Sequence, residues 1–380
     1  MTTRRHALAL LAAAPFAPAA CAQPLADPAA GWRDPGAGEA DPRRFALAHA
    51  ILAANPHNTQ PWLVEFDGED GMTLSCDLDR RLPFTDPLDR QITLGCGGFL
   101  ELYALAASSR GLRAEVTAFP EGAPAGRLDA RPLAHVRLIA DAAAADPLFA
   151  AIVQRRTNRN PYAAAPPSEV ALNAVLQASG ADNALLTAWS EVETARVGQI
   201  RDLVWRAFDR EMRTRGAQEE TYNWLRLGRE ERARHRDGLF IDVPVPGLLR
   251  AIGMLDRDDL LNPESSANRQ ASAEWREKAM TAPAFMGLRS AEDAPATRLA
   301  AGRAYARMNL AATAAGLAIH PWSQALQEYE EMKDLYDEAR ALFGASGGET
   351  LQMLVRVGHA APVEAAARRA MNDFIRNEAR

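Results

Sequence analysis

Apolar positions recur along the chain at a helical spacing of about 3.6 residues in some stretches and at a strand spacing of two in others. The pattern predicts a helix over 45–54, ended by Asn55-Pro56, because a proline biases the residue before it away from helical geometry. Strand-like runs over 63–66 and 72–78 flank Asp67-Gly68-Glu69-Asp70-Gly71, a hairpin signature. Asp86-Pro87 then opens a long helix to about Arg110, stopped by Gly111. Inside it Gly95, Gly97 and Gly98 each cost ~1 kcal/mol relative to alanine, and close helix packing is the expected compensation. Strands over 113–119 and 133–140 follow.

The same rhythm then restarts. Asp146-Pro147 opens a helix through Leu148, Phe149, Ile152 and Val153, Pro167-Ser168 caps another, and 184–189 reads as a strand. A helix from about Glu191 runs past Trp205 and Phe208. Across 216–290 the periodicity degrades, charge is dense and turns are frequent. That stretch is expected to be an insertion, either a helical lid over a site or an arm between subunits. Regularity returns with a helix over 296–316, a helix over 327–343 and a strand over 351–357.

Length, composition and charge narrow the classes. A chain of 380 residues can bury one large core or two, since domains usually run to ~100–200 residues. A hydrophobic content of 48% and a charged content of 24% fit a globular protein, and a net charge of -6 gives no reason to expect a nucleic-acid partner. Lys278 and Lys333 stand alone in an arginine-rich chain, so adjacent arginines by themselves carry no signal. At the N-terminus they come with context. Arg4-Arg5 precede a short apolar run ending near Ala20-Cys21-Ala22, which reads as a twin-arginine export signal over 1–22 with cleavage near Ala22. Lipid attachment at Cys21 is the lesser alternative, because Pro18-Ala19-Ala20-Cys21 lacks the usual leucine. The run is too short to span a membrane stably, so the expected location is the periplasm or cell envelope. Residues 23–40, rich in Pro, Gly, Ala and Asp, read as a linker. Cys76 and Cys96 could pair in an oxidising compartment, but read first as two small buried hydrophobes, and no His/Cys cluster has metal-ligand spacing.

Two short stretches carry the candidate chemistry. The loop Asn55-Pro56-His57-Asn58-Thr59-Gln60-Pro61-Trp62 packs polar groups between two prolines, and the plain alternative is a capped helix-to-strand turn. About a hundred residues later comes Gln154-Arg155-Arg156-Thr157-Asn158-Arg159-Asn160-Pro161-Tyr162. In an extended segment Arg155, Thr157 and Arg159 alternate at period two and project to one side, supplying two cationic forks and a hydroxyl. That set suits a phosphate, which needs cations and hydroxyl or backbone donors. The plain alternative is a solvated turn in an arginine-rich chain.

Taken together, these stretches resemble the FMN-dependent nitroreductase family, and within it the Acg-like proteins, in which two nitroreductase halves are fused. The resemblance rests on Asn58-Thr59-Gln60-Pro61-Trp62, Asp86-Pro87-Leu88-Asp89-Arg90, Arg155-Arg156-Thr157-Asn158-Arg159, Gly316-Leu317 leading to Pro321 and Gln324, and Arg356-Val357-Gly358-His359-Ala360 with Arg368-Arg369. It implies an α+β nitroreductase fold of two half-domains, about 41–145 and 146–380, each with a mixed or antiparallel sheet flanked by helices. FMN is the implied cofactor. Arg155, Arg156, Thr157 and Arg159 are then expected at the phosphate, with Arg368 or Arg369 closing on it. Asn58 and Gln60 are expected at the ring's polar edge, with His57 beside them. Pro321, Ser323 and Gln324 would back the ring, and Gly358 would let the backbone pass close to the cofactor or simply end its strand. Trp62 and Trp322 read as core.

The halves are not equivalent. The first keeps the polar loop but has Pro42-Arg43-Arg44-Phe45 where a phosphate clasp would fall. The second keeps the clasp but has Ala178-Ser179-Gly180-Ala181-Asp182-Asn183 where a loop would fall. One FMN per chain is expected, held across an intramolecular pseudo-dimer that leaves further homodimerisation open. The implied activity is two-electron transfer through the flavin between a small-molecule donor and acceptor that the sequence does not identify, with no protein residue needed as catalytic base. A non-catalytic FMN-sequestering protein is the alternative, and a structural protein that has lost the flavin is a third.

Overall fold

The computed structural model describes residues 25–242 and 257–376, so the expected export signal, with Cys21 and Ala22, lies outside the described residues. The front half contains α1 (Pro42–Ala50), β1 (Trp62–Asp67), β2 (Gly71–Cys76), α2 (Arg90–Ser108), β3 (Leu112–Ala118) and β4 (Ala134–Ala140). Its strands form one antiparallel sheet in the order β1-β2-β4-β3. The rear half runs through α3 (Glu169–Ala178), β5 (Leu186–Glu191), α4 (Thr194–Arg213), α5 (Arg215–Trp224), β6 (Leu225–Leu227), α6 (Gly228–His235), β7 (Leu239–Ile241), α7 (Arg257–Leu261), α8 (Ser266–Met280), β8 (Ala284–Ser290), α9 (Pro295–Ala314), β9 (Ala318–Pro321), α10 (Lys333–Leu342) and β10 (Thr350–Gly358). A second antiparallel sheet runs β5-β8-β10-β9, and β6 pairs with β7 in parallel. This is an α+β fold with a four-stranded sheet in each half.

Two buried helices form the seam. Along α2 every residue from Ile92 to Tyr103 is buried, and α9 packs along it. Glycines set the spacing: a Cβ on Gly97 would lie 2.2 Å from the Leu299 carbonyl, and one on Gly302 would lie 2.0 Å from the Leu94 carbonyl. Close packing is therefore what compensates these glycines. Arg90, fully buried, ties the halves further by donating to Glu328 and to the carbonyls of Gln352 and Leu326. Asp86 accepts from the backbone of Gln91 and Ile92, and Asp89 accepts from Arg81, Arg127 and the Leu128 amide. The Asp86–Arg90 motif is thus a helix-entry and inter-half clasp. The chain end crosses back: Val64 on β1 donates to Phe374 and accepts from Arg376.

Several expectations need correction. The segment 216–290 is not an excursion to its end, because β8 is an inner strand paired to both β5 and β10. Buried on both faces, it reads as a continuous apolar run without alternation. Residues 25–40 are not a free linker. Trp32 is buried, its indole N–H donates to the Ala366 carbonyl, and the Pro28 carbonyl accepts from Arg368 N. The helix expected from Asp86 starts at Arg90, after Asp89 takes a left-handed turn, and the one expected from Gln327 starts at Lys333. Cys76 and Cys96 are free and buried.

Candidate functional site

The turn after α1 is strained. His57, Asn58 and Gln60 all have positive φ, at 49, 54 and 52°. Left-handed geometry costs a non-glycine residue ~1–3 kcal/mol and persists only where surrounding contacts over-determine it. Those contacts are present. Asn55 Oδ1 accepts from the Gln60 amide at 2.8 Å, Asn58 Nδ2 donates to the Gly238 and Ala367 carbonyls, and Gln60 Nε2 donates to the Arg236 carbonyl. Asn58 Oδ1 accepts from Arg368 at 2.7 Å, and Gln60 Oε1 accepts from the Arg369 amide at 2.9 Å. Asn58 and Gln60 therefore anchor the C-terminal segment and the turn before β7, and they do not line the cavity. Sequence alone sees their polarity but not where it is satisfied.

What the strained turn presents to the cavity is Asn55, Pro56 and His57. The cavity, of about 600 Å³, lies between the halves. The front half supplies that turn and the start of α2, and the rear half supplies Thr157, Arg159, Tyr305 and the end of β9. Helices α4, α5 and α8 complete the wall. His57 Nε2 lies 3.1 Å from the Thr221 hydroxyl. Burial, with the positive charge of Arg159, pushes the His57 pKa down to about 4. A front-half loop and a rear-half arginine thus line one cavity.

The arginine cluster splits. Thr157 and Arg159 line the cavity. Arg159 is exposed and has no hydrogen bond or ion pair among the described residues, and desolvation by the groups around it lowers its pKa. Arg155 turns away: its Nη2 donates to the Leu52 carbonyl at 3.1 Å, and Nε and Nη1 are buried without partners. Arg156 donates to the Val153 and Arg155 carbonyls. Arg368 donates to the carbonyls of Ile51, Leu52 and Ala53. Arg155 and Arg368 thereby cap the open carbonyl end of α1, where cations are favoured. All three guanidiniums stack around Trp32, at 5.3, 4.7 and 5.0 Å from its ring centroid for Arg155, Arg156 and Arg368. Arg369 lies over Phe374. Gly358 ends β10 against Pro283 and Tyr162, so the close approach it permits is to the protein's own side chains.

The segment after β9 lies on the cavity wall, through Pro321, Trp322, Ser323 and Gln324. Ser323 donates to the Leu354 carbonyl, which fixes the segment to β10. Trp322 is both core and wall: it is fully buried, and Trp275 meets it edge-on at 5.9 Å. Its indole N–H and Gln324 Oε1 are buried without partners. Residues missed by sequence reasoning stand here too. His320 Nδ1 accepts from Arg356 Nε at 3.2 Å, and burial beside that cation drives the imidazole pKa well below its usual value. A neutral ring accepting at Nδ1 carries its proton on Nε2, which makes His320 a donor. Glu211 on α4, Gln327 and Trp275 also line the cavity. They sit in weakly periodic or charged stretches that gave no signal. Among the described residues no group of His, Cys, Asp or Glu is arranged to hold a metal ion.

No family model matches the chain. A Mycobacterium tuberculosis protein with the provisional name NAD(P)H nitroreductase is 31% identical over 333 residues, covering 86% of this chain and 87% of that one. The acg protein of the same organism, also provisionally named an NAD(P)H nitroreductase, is 34% identical over 131 residues, covering 32% and 36%. Among solved structures, the FMN-dependent nitroreductase NfnB of Mycobacterium smegmatis in complex with NADPH is 19% identical, with a TM-score of 0.38 over 60% of this chain and 96% of that one. Oxidized iodotyrosine deiodinase bound to FMN and 3-iodo-L-tyrosine is 16% identical, with a TM-score of 0.35 over 59% and 95%.

Proposed function

The chain belongs to the nitroreductase family, and from that premise we propose that it is an exported FMN-dependent oxidoreductase with one flavin site, formed between its two halves. The observation that carries this is Arg159, a cation without a protein partner, set beside the Thr157 hydroxyl in a cavity of about 600 Å³ that the Asn55–His57 turn also lines. A guanidinium without a counter-charge, set beside a hydroxyl, is the donor set that a phosphate takes. The FMN phosphate fits that end. The ring would lie against Pro321–Gln324, where the buried Trp322 N–H and Gln324 Oε1 are left without protein partners. Bound there, flavin supplies two-electron chemistry, so this chain's work is to hold the phosphate, orient the ring and exclude water.

A single site is supported by the spent arginines of the first half. Arg43 is bound to Asp41 and the Gly68 carbonyl, and Arg44 to Glu39 and Asn372. Arg4-Arg5 and the apolar run to Ala22 support export by the twin-arginine route. Replacing both with lysine should retain the protein in the cytoplasm, and an unchanged envelope fraction would contradict that route.

The functional test is spectroscopic. Protein purified without added flavin should show FMN-type absorbance, bleach with dithionite under anaerobic conditions, and recover its colour with a nitroaromatic or quinone acceptor. A bound flavin that no acceptor reoxidises would contradict the oxidoreductase reading and fit sequestration. A colourless protein that cannot be reconstituted would contradict both.

A further inference from the structure

The cavity has a second polar group of residues, supplied by α4 and the turn after β9. Glu211 belongs to it, the one carboxylate among the described lining residues, as Arg159 is the one Lys or Arg. The side-chain amides of Gln327 and Gln324 lie near Glu211 and favour its charged form. Glu211 Oε2 and Gln327 Oε1 are left with no donor. Two acceptor oxygens on one wall are thus unmatched, while the surrounding Phe208, Met212, Trp275 and Ala217 surface is apolar. A buried acceptor left unmade costs ~1–3 kcal/mol, more when charged, so such a group selects a ligand that brings donors.

We propose that this group of residues recognises the second substrate, an uncharged planar ring carrying O–H or N–H donors, through Glu211 and Gln327. The proposal rests on the flavin reading, since Arg159 is then taken by the phosphate and no cation among the described lining residues remains for a further anionic group. A hydroquinone and a nicotinamide carboxamide both bring the donors, whereas the phosphates of a whole dinucleotide find no counter-charge among the described lining residues. Phe208 and Trp275, 5.0 Å apart, give the ring an aromatic face.

Glu211 also gives the group a pH signature. Burial, aided by the Glu220 carboxylate, pushes its pKa up to about 7, against the amide donors that pull the other way. The other charged and titratable groups around it are committed. Glu220 on α5 accepts from the Phe84 and Thr85 amides, Glu328 is paired with Arg90, and Arg210 on α4 with Asp334 of α10. The Tyr329 hydroxyl stays protonated, its pKa raised by burial and by Glu211. His57 is already neutral in this range, and Arg159 is charged throughout it. Above pH 7 the ionised carboxylate is the stronger acceptor, so donor-bearing rings should bind more tightly.

Calorimetric titration of the full-length protein tests this with two probe pairs, a naphthalenediol against its dimethyl ether and nicotinamide against N,N-diethylnicotinamide. The arms tell a phenolic from an amide donor. In at least one pair the donor-bearing member should bind about tenfold or more tightly, and increasingly so as pH rises through 7. E211Q should keep a reduced preference and lose the pH dependence, and E211L should lose both. NADPH should bind no better than nicotinamide. Equal binding within both pairs, a pH-independent preference, or NADPH binding about tenfold above nicotinamide would overturn the proposal. Flavin content is read separately by absorbance, and the pairs are run on loaded and flavin-free protein. A missing flavin then refutes the functional reading, and a missing preference refutes this one.

Discussion

His57 and Arg159 come from sequence positions a hundred residues apart and share one cavity, and their electrostatics are linked. His57 is held neutral, with a pKa of about 4 against the ordinary 6.5. A histidine with a depressed folded pKa contributes stability that is complete above about pH 6.5 and is lost as pH falls toward 4. Melting temperatures of the wild type should therefore drop across that window more steeply than those of H57N. Parallel curves would show that His57 does not titrate as placed. Arg368 differs from Arg159 in being fully engaged with the carbonyl end of α1, so R368A should destabilise the fold by ~1–3 kcal/mol in chemical denaturation. Arg159→Ala, losing no protein partner, should not destabilise the flavin-free protein. The period-two rule put Arg155, Thr157 and Arg159 on one side, and it failed at Arg155. There the open carbonyl of Leu52 lies within reach of the side chain, a tertiary fact that no local spacing carries.

At the scale of elements, most helices and strands were legible because their apolar periodicities are strong and Gly, Pro, Asp or Ser punctuate them. The glycine cluster of α2 announced a tight contact, though its partner α9 appeared only in three dimensions. G302A should cost ~1–3 kcal/mol or more, since the added methyl meets the Leu94 backbone rather than a side chain that can move. A melting temperature within a degree or so of wild type would mean the helices separate freely. The element the pattern hid was β8. A strand buried on both faces lacks alternation, and Gly287, tucked under the Trp189 ring, breaks the run again. The strained turn was legible as a rigid polar loop, but its role divided: Asn55, Pro56 and His57 face the cavity while Asn58 and Gln60 hold the chain end.

Across the whole molecule, three ties join front and rear: the α2/α9 seam, Arg90, and the C-terminal segment on β1. Trp32 adds a fourth, covering the Arg155, Arg156 and Arg368 guanidiniums that carry no carboxylate among them. Its composition concealed this, because a single aromatic in a Pro/Gly-rich stretch has no periodicity to declare it. W32A should therefore destabilise the protein by ~3–5 kcal/mol, which a linker residue would not do, and denaturant titration would read it. Of the candidate cavity, sequence reasoning named Thr157, Arg159, His57 and the Pro321–Gln324 segment, and it missed most of the helical wall from α4, α5 and α8. The central claim is that a loop of the front half and Arg159 of the rear half enclose one FMN, and the FMN-to-chain ratio of the purified protein, beside that of R159A, tests it most directly. The account predicts a ratio near one for the wild type and a loss of flavin in R159A at unchanged stability of the flavin-free protein. That loss corresponds to ~1.5–3 kcal/mol of charge-assisted phosphate binding. A wild-type ratio in R159A would contradict it.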